Sequence, residues 1–527
     1  MMRLEISGIT VLLGEGEKAL TGKAAAILGV PIEQIASLRI IRRSIDARRR
    51  RPPCFLFSVE VSVPHETPWK DRPLEGVTVR HVQENKGPSF SKGLLKPALR
   101  PVVVGCGPAG LFAALSLAGR GIPPILLERG KRVTERVLDV NRFWKEGLFN
   151  PESHVHFGEG GAGTFSDGKL TSRAKNPYTR WVKEILVEMG APVNILTDAR
   201  PHIGTDRLRE VVVRLREKLV DLGSEIRFDA TVTDFLMDRN RVVGVVINHH
   251  EEIRTDHLIL AIGQSADDTY LILQDRGVRL ERKPFAMGLR VEHPQPLINE
   301  IQYGKWHRHP ELPPADYFLT AKIEEMQRSV YSFCMCPGGR IIGCTVAAGG
   351  VVTNGMSSSR RDGGYANSAV VVNICADDFG EGGPLMGLAF RRHWEAQAFV
   401  HGGGDYHAPA QRLVDFLKDR DSGVIGLTSF RPGVRSVLLR ETLPDFVTEA
   451  LKKGLQQFDW KMPGFASAEA YLIGVETRTS SPVRIVRGPD GQSVNVAGLY
   501  PCGEGAGYAG GIISSALDGI RAAQHIV

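Results

Sequence analysis

The 527 residues contain no run of about 18 apolar side chains, the length a helix needs to cross a bilayer. A helical membrane span is therefore not expected. The first residues, Met1-Met2-Arg3-Leu4-Glu5-Ile6-Ser7, lack the apolar core and small-residue cleavage site of a secretion signal. Cysteine is scarce. Cys54, Cys106, Cys334, Cys336, Cys344, Cys375 and Cys502 are an odd number spread thinly over a long chain. That is the pattern of reduced thiols rather than of a disulfide framework, and the expected compartment is the cytoplasm. No metal is expected, because His154-x-His156 and Cys334-x-Cys336 lack the partner ligands of a zinc site. The chain has no G-x-S-x-G nucleophile elbow and no Gly-Lys-Ser/Thr phosphate loop. An internal repeat is also missing.

What is present is ordinary in bulk. Hydrophobic content of 42% and charged content of 24% select no special class. At roughly 100–200 residues per domain, the length predicts two to four domains. The net charge of +7 is modest, but Arg39, Arg42, Arg43 and Arg48–Arg51 crowd into one short span. A solvated strand–turn–strand rim is the simpler reading; contact with an anionic ligand or nucleic acid is the competing one. No aromatic residues interleave the arginines to stack on bases.

Residues 1–95 read as a small α+β accessory domain, ferredoxin-like, with strands over 3–13, 35–45 and 54–63 and a helix over 17–28 that ends at Gly29. Residues 64–100, with Pro64, Pro68, Pro73, Pro88 and Pro97, read as an extended linker. A βαβ unit follows: strand 101–105, helix 109–119, strand 124–127. A helix over 206–222 takes Thr205 as its N-cap. Strand 226–228, a β-meander over 232–254 and a buried strand 258–262 come next. Residues 270–465 read as an inserted cap or substrate domain. The chain then returns to strand, Gly-rich loop and helix over 466–527.

The chemistry sits first in Gly105-Cys106-Gly107-Pro108-Ala109-Gly110, which follows a strand and opens a helix. Gly105 permits the tight turn. Gly107 lets the backbone approach a pyrophosphate, and Gly110 lets helix and strand pack closely. The helix N-terminus offers free N–H groups to the phosphates. Glu128 stands 18 residues past Gly110, at the end of the second strand, where a carboxylate accepts from ribose hydroxyls. Arg129 is a weaker candidate to lie over an adenine. This arrangement predicts dinucleotide binding, with a ligand-free turn as the simpler alternative.

The far C-terminus, Gly498-Leu499-Tyr500-Pro501-Cys502-Gly503-Glu504-Gly505-Ala506-Gly507-Tyr508-Ala509-Gly510-Gly511, precedes a helix over 512–525. With it, the chain resembles the FAD-dependent oxidoreductases that have a glutathione-reductase-type FAD domain. Within them it is similar to the bacterial group labelled "FAD-dependent dehydrogenase" or NAD(P)/FAD-dependent oxidoreductase. The resemblance covers roughly 96–527. It implies an α/β fold: a Rossmann-like domain (96–269 and 466–527, parallel sheet plus β-meander) with the α+β cap inserted. It also implies that Gly503-Glu504 contacts the ribityl chain, with Glu where the family has Asp. Gly511 and Ile512 then face the flavin pyrimidine carbonyl, and Val232, Ala261 and Gly263 pass close to the dinucleotide. The loop His154–Leu170, five of whose residues 158–168 are glycine, resembles the cover over pyrophosphate and isoalloxazine. There Gly158, Gly161 and Gly163 supply backbone N–H groups, and Ser166 and Lys169 supply side-chain donors.

Candidate reactive residues are His156, as acid or base beside His154, and the Cys334/Cys336 pair, set against plain loop and buried-thiol readings. Arg478 and Arg484 could hold an anionic substrate, or form a structural ion-pair network instead. A second fingerprint for NAD(P) is missing between 264 and 465, so NADH or NADPH is expected only as a transient electron donor. The expected function is a flavoprotein dehydrogenase or reductase that moves hydride between a small-molecule substrate and flavin N5. The alternatives are a flavoprotein acting on RNA, or on an RNA-bound partner, through the basic N-terminal domain, and a non-enzymatic flavin-bound redox module.

Overall fold

Strand Cys54–Val63 buries every second residue, from Phe55 and Phe57 to Val59, Val61 and Val63. That alternation fixes one face of an antiparallel sheet on a small core. The computed structural model describes residues 1–48, 51–65, 67, 73–74, 76–82, 97–172 and 176–526. The N-terminal sheet runs in the order Ser37–Asp46, Cys54–Val63, Met2–Leu12, Val77–His81, Pro73–Leu74. Helix Ala19–Leu28 covers it with Leu20, Ala24, Ala25 and Leu28, and stops at Gly29, whose φ of 70° is left-handed. Part of the segment expected as a linker is thus sheet: Val77–His81 pairs with Met2–Leu12, where alternating Val77 and Val79 reach the core. Pro68 and Pro88 lie outside the described residues, as do Arg49 and Arg50 of the arginine turn. Arg39 pairs with Glu60 at 2.7 Å and Arg48 pairs with Asp46. Arg43 ties the sheet edge to the next domain: its N–H donates to Thr197 O at 2.9 Å, and its carbonyl accepts from Ala199 N at 2.8 Å.

The second unit is a sheet of five parallel strands. Its order is Leu499–Pro501, Leu258–Leu260, Val102–Val104, Ile125–Leu127, Glu225–Arg227. All but the edge strand Glu225–Arg227 are wholly buried, as short apolar runs in a sheet covered on both faces should be. A meander of Val232–Asp238, Arg241–Ile247 and Glu251–Arg254 covers one face. Helices Pro108–Ala118, Thr205–Asp221 and Ile512–Gln524 cover the other. The chain leaves Val102–Val104 for Ile125–Leu127 on one side and later returns to Leu258–Leu260 on the other. A crevice therefore opens beyond the carboxyl ends of these strands, at the switch point where such sheets bind ligands. The fold is the α/β architecture expected, a Rossmann-type parallel sheet with a meander and an inserted α+β part.

The inserted part is a mostly antiparallel sheet from Phe285–Pro294 to Tyr471–Glu476, backed by helix Asp445–Lys461. Its limits correct the expected ones. Helix Asp267–Asp275 and strand Leu280–Arg282 pack in the core of the meander, so 270 cuts a helix of the dinucleotide domain. Position 465 falls before Tyr471–Glu476, a strand of the large sheet. A further correction concerns Thr205. Helix Thr205–Asp221 has Gly204 at its N-cap, and the Thr205 hydroxyl donates to Thr164 O at 2.7 Å, fastening the Gly-rich loop instead. Among the described residues no helix is long and apolar enough to cross a membrane.

Helices Pro108–Ala118 and Ile512–Gln524 touch backbone to backbone: a Cβ on Gly519 would stand 2.0 Å from Ala109 O. Gly519→Ala should therefore lower stability by about 1–3 kcal/mol. Gly22→Ala, on the exposed face of Ala19–Leu28 with nothing nearer than 4.0 Å, should instead be neutral or stabilising by up to ~1 kcal/mol. Thermal unfolding of the two variants checks the contrast; equal melting temperatures would refute it.

Candidate functional site

Two of the fingerprint glycines are required by the protein itself. Gly105 turns the chain at φ 104°, and a Cβ there would lie 2.3 Å from Ala261 O. At Gly110 it would lie 1.8 Å from Gly105 O. Gly107 is different. Its φ of −82° suits any residue, and the nearest protein atom to a Cβ would be Gly161 Cα at 3.8 Å. Its open side belongs to a cavity of about 770 Å³.

The fingerprint lines this cavity with Gly105, Gly107, Pro108 and Ala109, and the second strand adds Glu128 and Arg129. The meander supplies Val232, and the strand beside it Ala261 and Gly263. The Gly-rich loop supplies His156, Gly161, Gly163, Ser166 and Lys169, and the C-terminal segment Glu504, Gly511 and Ile512. Segments hundreds of residues apart thus converge on one space. From the cap come Phe285, Tyr331, Phe333, Cys334, Asn354 and Glu476. Four of the expected residues stand behind the wall. Gly110 packs on Gly105, Gly158 N donates to Glu128 Oε1, Gly503 N donates to Asp518 Oδ2, and Cys336 is wholly buried.

The side chains are held more tightly than their sequence context suggests. Glu128 accepts from the N–H groups of Cys106, Gly130 and Gly158, each at 2.9 Å. Its lone pairs are not exhausted by these three bonds. The Arg129 guanidinium lies 4.1 Å over the Phe157 ring and pairs with Glu152 and Asp268, so protein contacts fix its position. Ser166 is turned inward, correcting the expectation of a free donor: its hydroxyl donates to Gly163 O at 2.7 Å and accepts from Gly168 N. Lys169 Nζ stands 3.3 Å from Asp167 Oδ2, and it has no hydrogen bond. Asp167 is also bound by Arg361 and Ser357, and against its burial the Lys169 and Arg361 charges hold its carboxyl far below the usual range.

His156 does not suit the part of a cationic acid. Burial, then Arg478, Arg391 and Arg136, push its imidazole well below the ordinary histidine range, so it is neutral near pH 7. Arg478 Nη1 donates to Ser265 Oγ at 3.1 Å, and Ser265 Oγ lies 3.1 Å from His156 Nδ1. Ser265, itself held by Arg478, thus holds the His156 ring through Nδ1, while Nε2 has no partner among the described residues. His154, likewise neutral, accepts from His156 N through Nδ1. Arg478 is not free for an anionic substrate. It binds Glu395 through Nε at 2.9 Å and Nη2 at 2.8 Å, in a buried group with Asp267 and Arg391. Arg484 lies 5.2 Å from the Tyr508 ring, outside the cavity wall.

Sequence reasoning missed several residues here: Ser265, Asp267, Arg290, Glu395 and above all Arg136. Arg136 sits in the buried stripe Val133–Arg136–Val140–Phe143 of helix Val133–Glu146, and a charge in a core stripe was the available signal. Arg290, also wholly buried, pairs with Glu476 at 2.9 Å. Burial pushes the Glu476 carboxyl up to about 7 against that attraction. Burial also lifts Glu504 to about 7, with Lys283 and the Gln264 amide (3.0 Å) opposing.

Residues 284–479, which bracket the large sheet, match a family model described as FAD-dependent protein, C-terminal domain-like. Residues 2–62 match a domain of unknown function. A protein of Clostridium beijerinckii, described as an uncharacterized protein, is 45% identical over 532 residues, spanning 100% of this chain and 99% of its own length. Among solved structures, a glycerol-3-phosphate dehydrogenase from Bacillus halodurans complexed with FAD is 11% identical. It covers 81% of this chain and 65% of its own, with a TM-score of 0.35. CtdE in complex with FAD is 12% identical over 81% and 84%, with a TM-score of 0.31. Likenesses that slight carry nothing about activity. The family match supports FAD as the cofactor and an FAD-dependent oxidoreductase in general.

A carboxyl raised from its ordinary value to about 7 stabilises the fold fully below the ordinary value, and that stability is lost as pH rises through 7. Glu504→Gln removes the loss. In urea unfolding of the apoprotein, the variant should match the parent at pH 4 and exceed it by about 1–3 kcal/mol at pH 8. A difference that does not change with pH would show that folding leaves the Glu504 carboxyl unshifted.

Proposed function

We propose a function on the premise that this chain belongs to one family with its Clostridium beijerinckii relative and carries the C-terminal domain of FAD-dependent proteins. It is an FAD-dependent oxidoreductase, a dehydrogenase or reductase that moves hydride between a small-molecule substrate and flavin N5. The observation that carries this reading is one cavity walled by two helix N-termini, at Gly107–Pro108 and at Gly511–Ile512. Each presents N–H groups without helical partners, where negative charge is favoured.

The residues present fit the group. Neither backbone nor packing demands glycine at 107, whereas a phosphate drawn against that backbone would. The N-terminus at Pro108 would hold the pyrophosphate, Glu128 a ribose, and Gly511–Ile512 the flavin pyrimidine edge. Bound there, FAD supplies a two-electron acceptor and donor. The protein's own part is to orient and to exclude water. His156 offers a neutral ring held in place through Nδ1. Tyr331, Phe333 and Asn354 give the substrate side an aromatic and polar wall from the cap. NADH or NADPH serves as a transient donor in this reading, since no second fingerprint lies between 264 and 465. We place the protein in the cytoplasm, which seven unpaired thiols fit.

The purified chain should carry a flavin spectrum and bleach near ~450 nm under anaerobic NADH or NADPH. Bound flavin without bleaching would make its own substrate the reductant. Gly107→Val should fold within about 1 kcal/mol of the parent, because the site has room. Its FAD affinity should fall at least about tenfold, or ~1.4 kcal/mol. No flavin on the parent, or unchanged affinity in the variant, refutes the reading.

A further inference from the structure

Strand Arg328–Gly343 loses register with Tyr365–Ile374 between Phe333 and Cys336, and again between Cys336 and Gly339. Cys334 lies in the first slip with a φ of +46°, which an L-residue rarely adopts. The consequence is an unequal pair. Cys334 lines the main cavity, and Cys336 sits behind it with no exposed surface. The Cys336 thiol donates to Cys334 O at 3.3 Å, which ties the buried residue to the one on the cavity wall. Arg290 Nη2 donates to Cys334 O at 2.8 Å and lies 3.6 Å from Cys336 Sγ. Lys169, whose ammonium has no hydrogen bond, adds its charge from the other side.

We propose that Cys334 and Cys336 are a redox-active dithiol that reduces a small organic disulfide entering the cavity past Tyr331 and Phe333. This deepens the reading above by naming a substrate class, and only the regeneration of the dithiol rests on bound FAD. The neighbouring Cys336, then the Lys169 and Arg290 charges, hold the Cys334 thiol below the ordinary range against its burial, while Cys334 and burial push Cys336 well above it. An accessible thiolate backed by a buried thiol is what exchange requires.

The Cys334 thiolate attacks one sulfur of R–S–S–R, making Cys334–S–S–R and releasing R–S⁻. The largest influence keeping Cys336 protonated is the neighbouring Cys334, and this step removes its thiolate charge. Cys336 then yields its proton to the released R–S⁻ and attacks Cys334 Sγ, and the second R–S⁻ departs. The two protein thiols are oxidised to one disulfide as the substrate disulfide is reduced to two thiols, so electrons and protons balance.

The full chain, with whatever flavin it carries, is treated with one equivalent of dithiobis(nitrobenzoate), an aromatic disulfide. Both cysteines fall in one tryptic peptide, Ser329–Arg340, between Arg328 and Ile341. In the parent this peptide should become lighter by two hydrogens. Cys336→Ser should arrest as the nitrobenzoate adduct, and Cys334→Ser should leave the peptide unmodified. A parent peptide that keeps the adduct, or keeps both free thiols, overturns the proposal without recourse to any variant. The flavin spectrum of the same sample separates this outcome from failure of the FAD reading, since a lighter peptide needs no flavin.

Discussion

The guanidinium of Arg136 has five N–H donors, and all five end on backbone carbonyls of one loop: His154, Val155, Gly158, Glu159 and Gly161. The loop has little side-chain substance of its own with which to hold a shape. Its carbonyls are gathered from one side by Arg136, and the Gly158 N–H is taken from the other by Glu128, which also anchors Cys106 in the fingerprint. The two charges therefore lock the Gly-rich loop to the first strand–helix turn. Burial pulls the Arg136 guanidinium down to about 10, still charged at neutral pH, with Glu128 and Glu159 supporting it. Without Arg136 the five carbonyls would lose their common partner; Gly158 O would keep Gly161 N and Glu159 O the Thr164 hydroxyl, and each carbonyl left unpaired would cost about 1–3 kcal/mol. The cavity wall depends on this side chain more than on any glycine within it.

The same device recurs around the cavity. Asp267, Arg391, Arg478 and Glu395 form a buried group, and through Ser265 they hold the His156 ring at Nδ1. Such groups are seldom strong stabilisers, because removing charges from water costs about as much as pairing returns. Their value here is orientation. A neutral imidazole held by a serine that is itself held by an arginine keeps its ring in one place. Arg290 plays the corresponding part on the cap side, joining Glu476, Asn367 and the Cys334 carbonyl.

The dinucleotide fold was legible because its signals are local: a strand–Gly-turn–helix at 102–118, an acid at 128, and a Gly-rich turn before the last helix. Each is decided by steric facts within a few residues. The cap limits were not legible, because helix Asp267–Asp275 and strand Val483–Ile485 gain their place only by packing on the meander from distant parts of the chain. The same holds for the arginines. Arg478 was open between a substrate contact and an ion-pair network until the fold supplied Glu395, and Arg136 gained its role only from the ring of carbonyls. Thr205 misled for a related reason: a good capping residue was drawn away by a carbonyl of the Gly-rich loop, some forty residues back in the chain.

Cys334 and Cys336 show why spacing alone cannot assign chemistry. In a regular strand, residues two apart share a face, so both sulfurs would face the cavity or both would face the core. Either way they would titrate alike, and neither would be preferred as attacker. The register slip breaks that equivalence: Phe333 and Cys334, adjacent in sequence, both line the cavity, and Cys336 turns behind them. Left-handed backbone at a non-glycine costs on the order of 1–3 kcal/mol, and it persists only where the surroundings enforce it. Here Arg290 enforces it by holding the Cys334 carbonyl while lying against the Cys336 sulfur. The strain thus creates a difference between two chemically identical thiols, one on the cavity wall and one screened behind it.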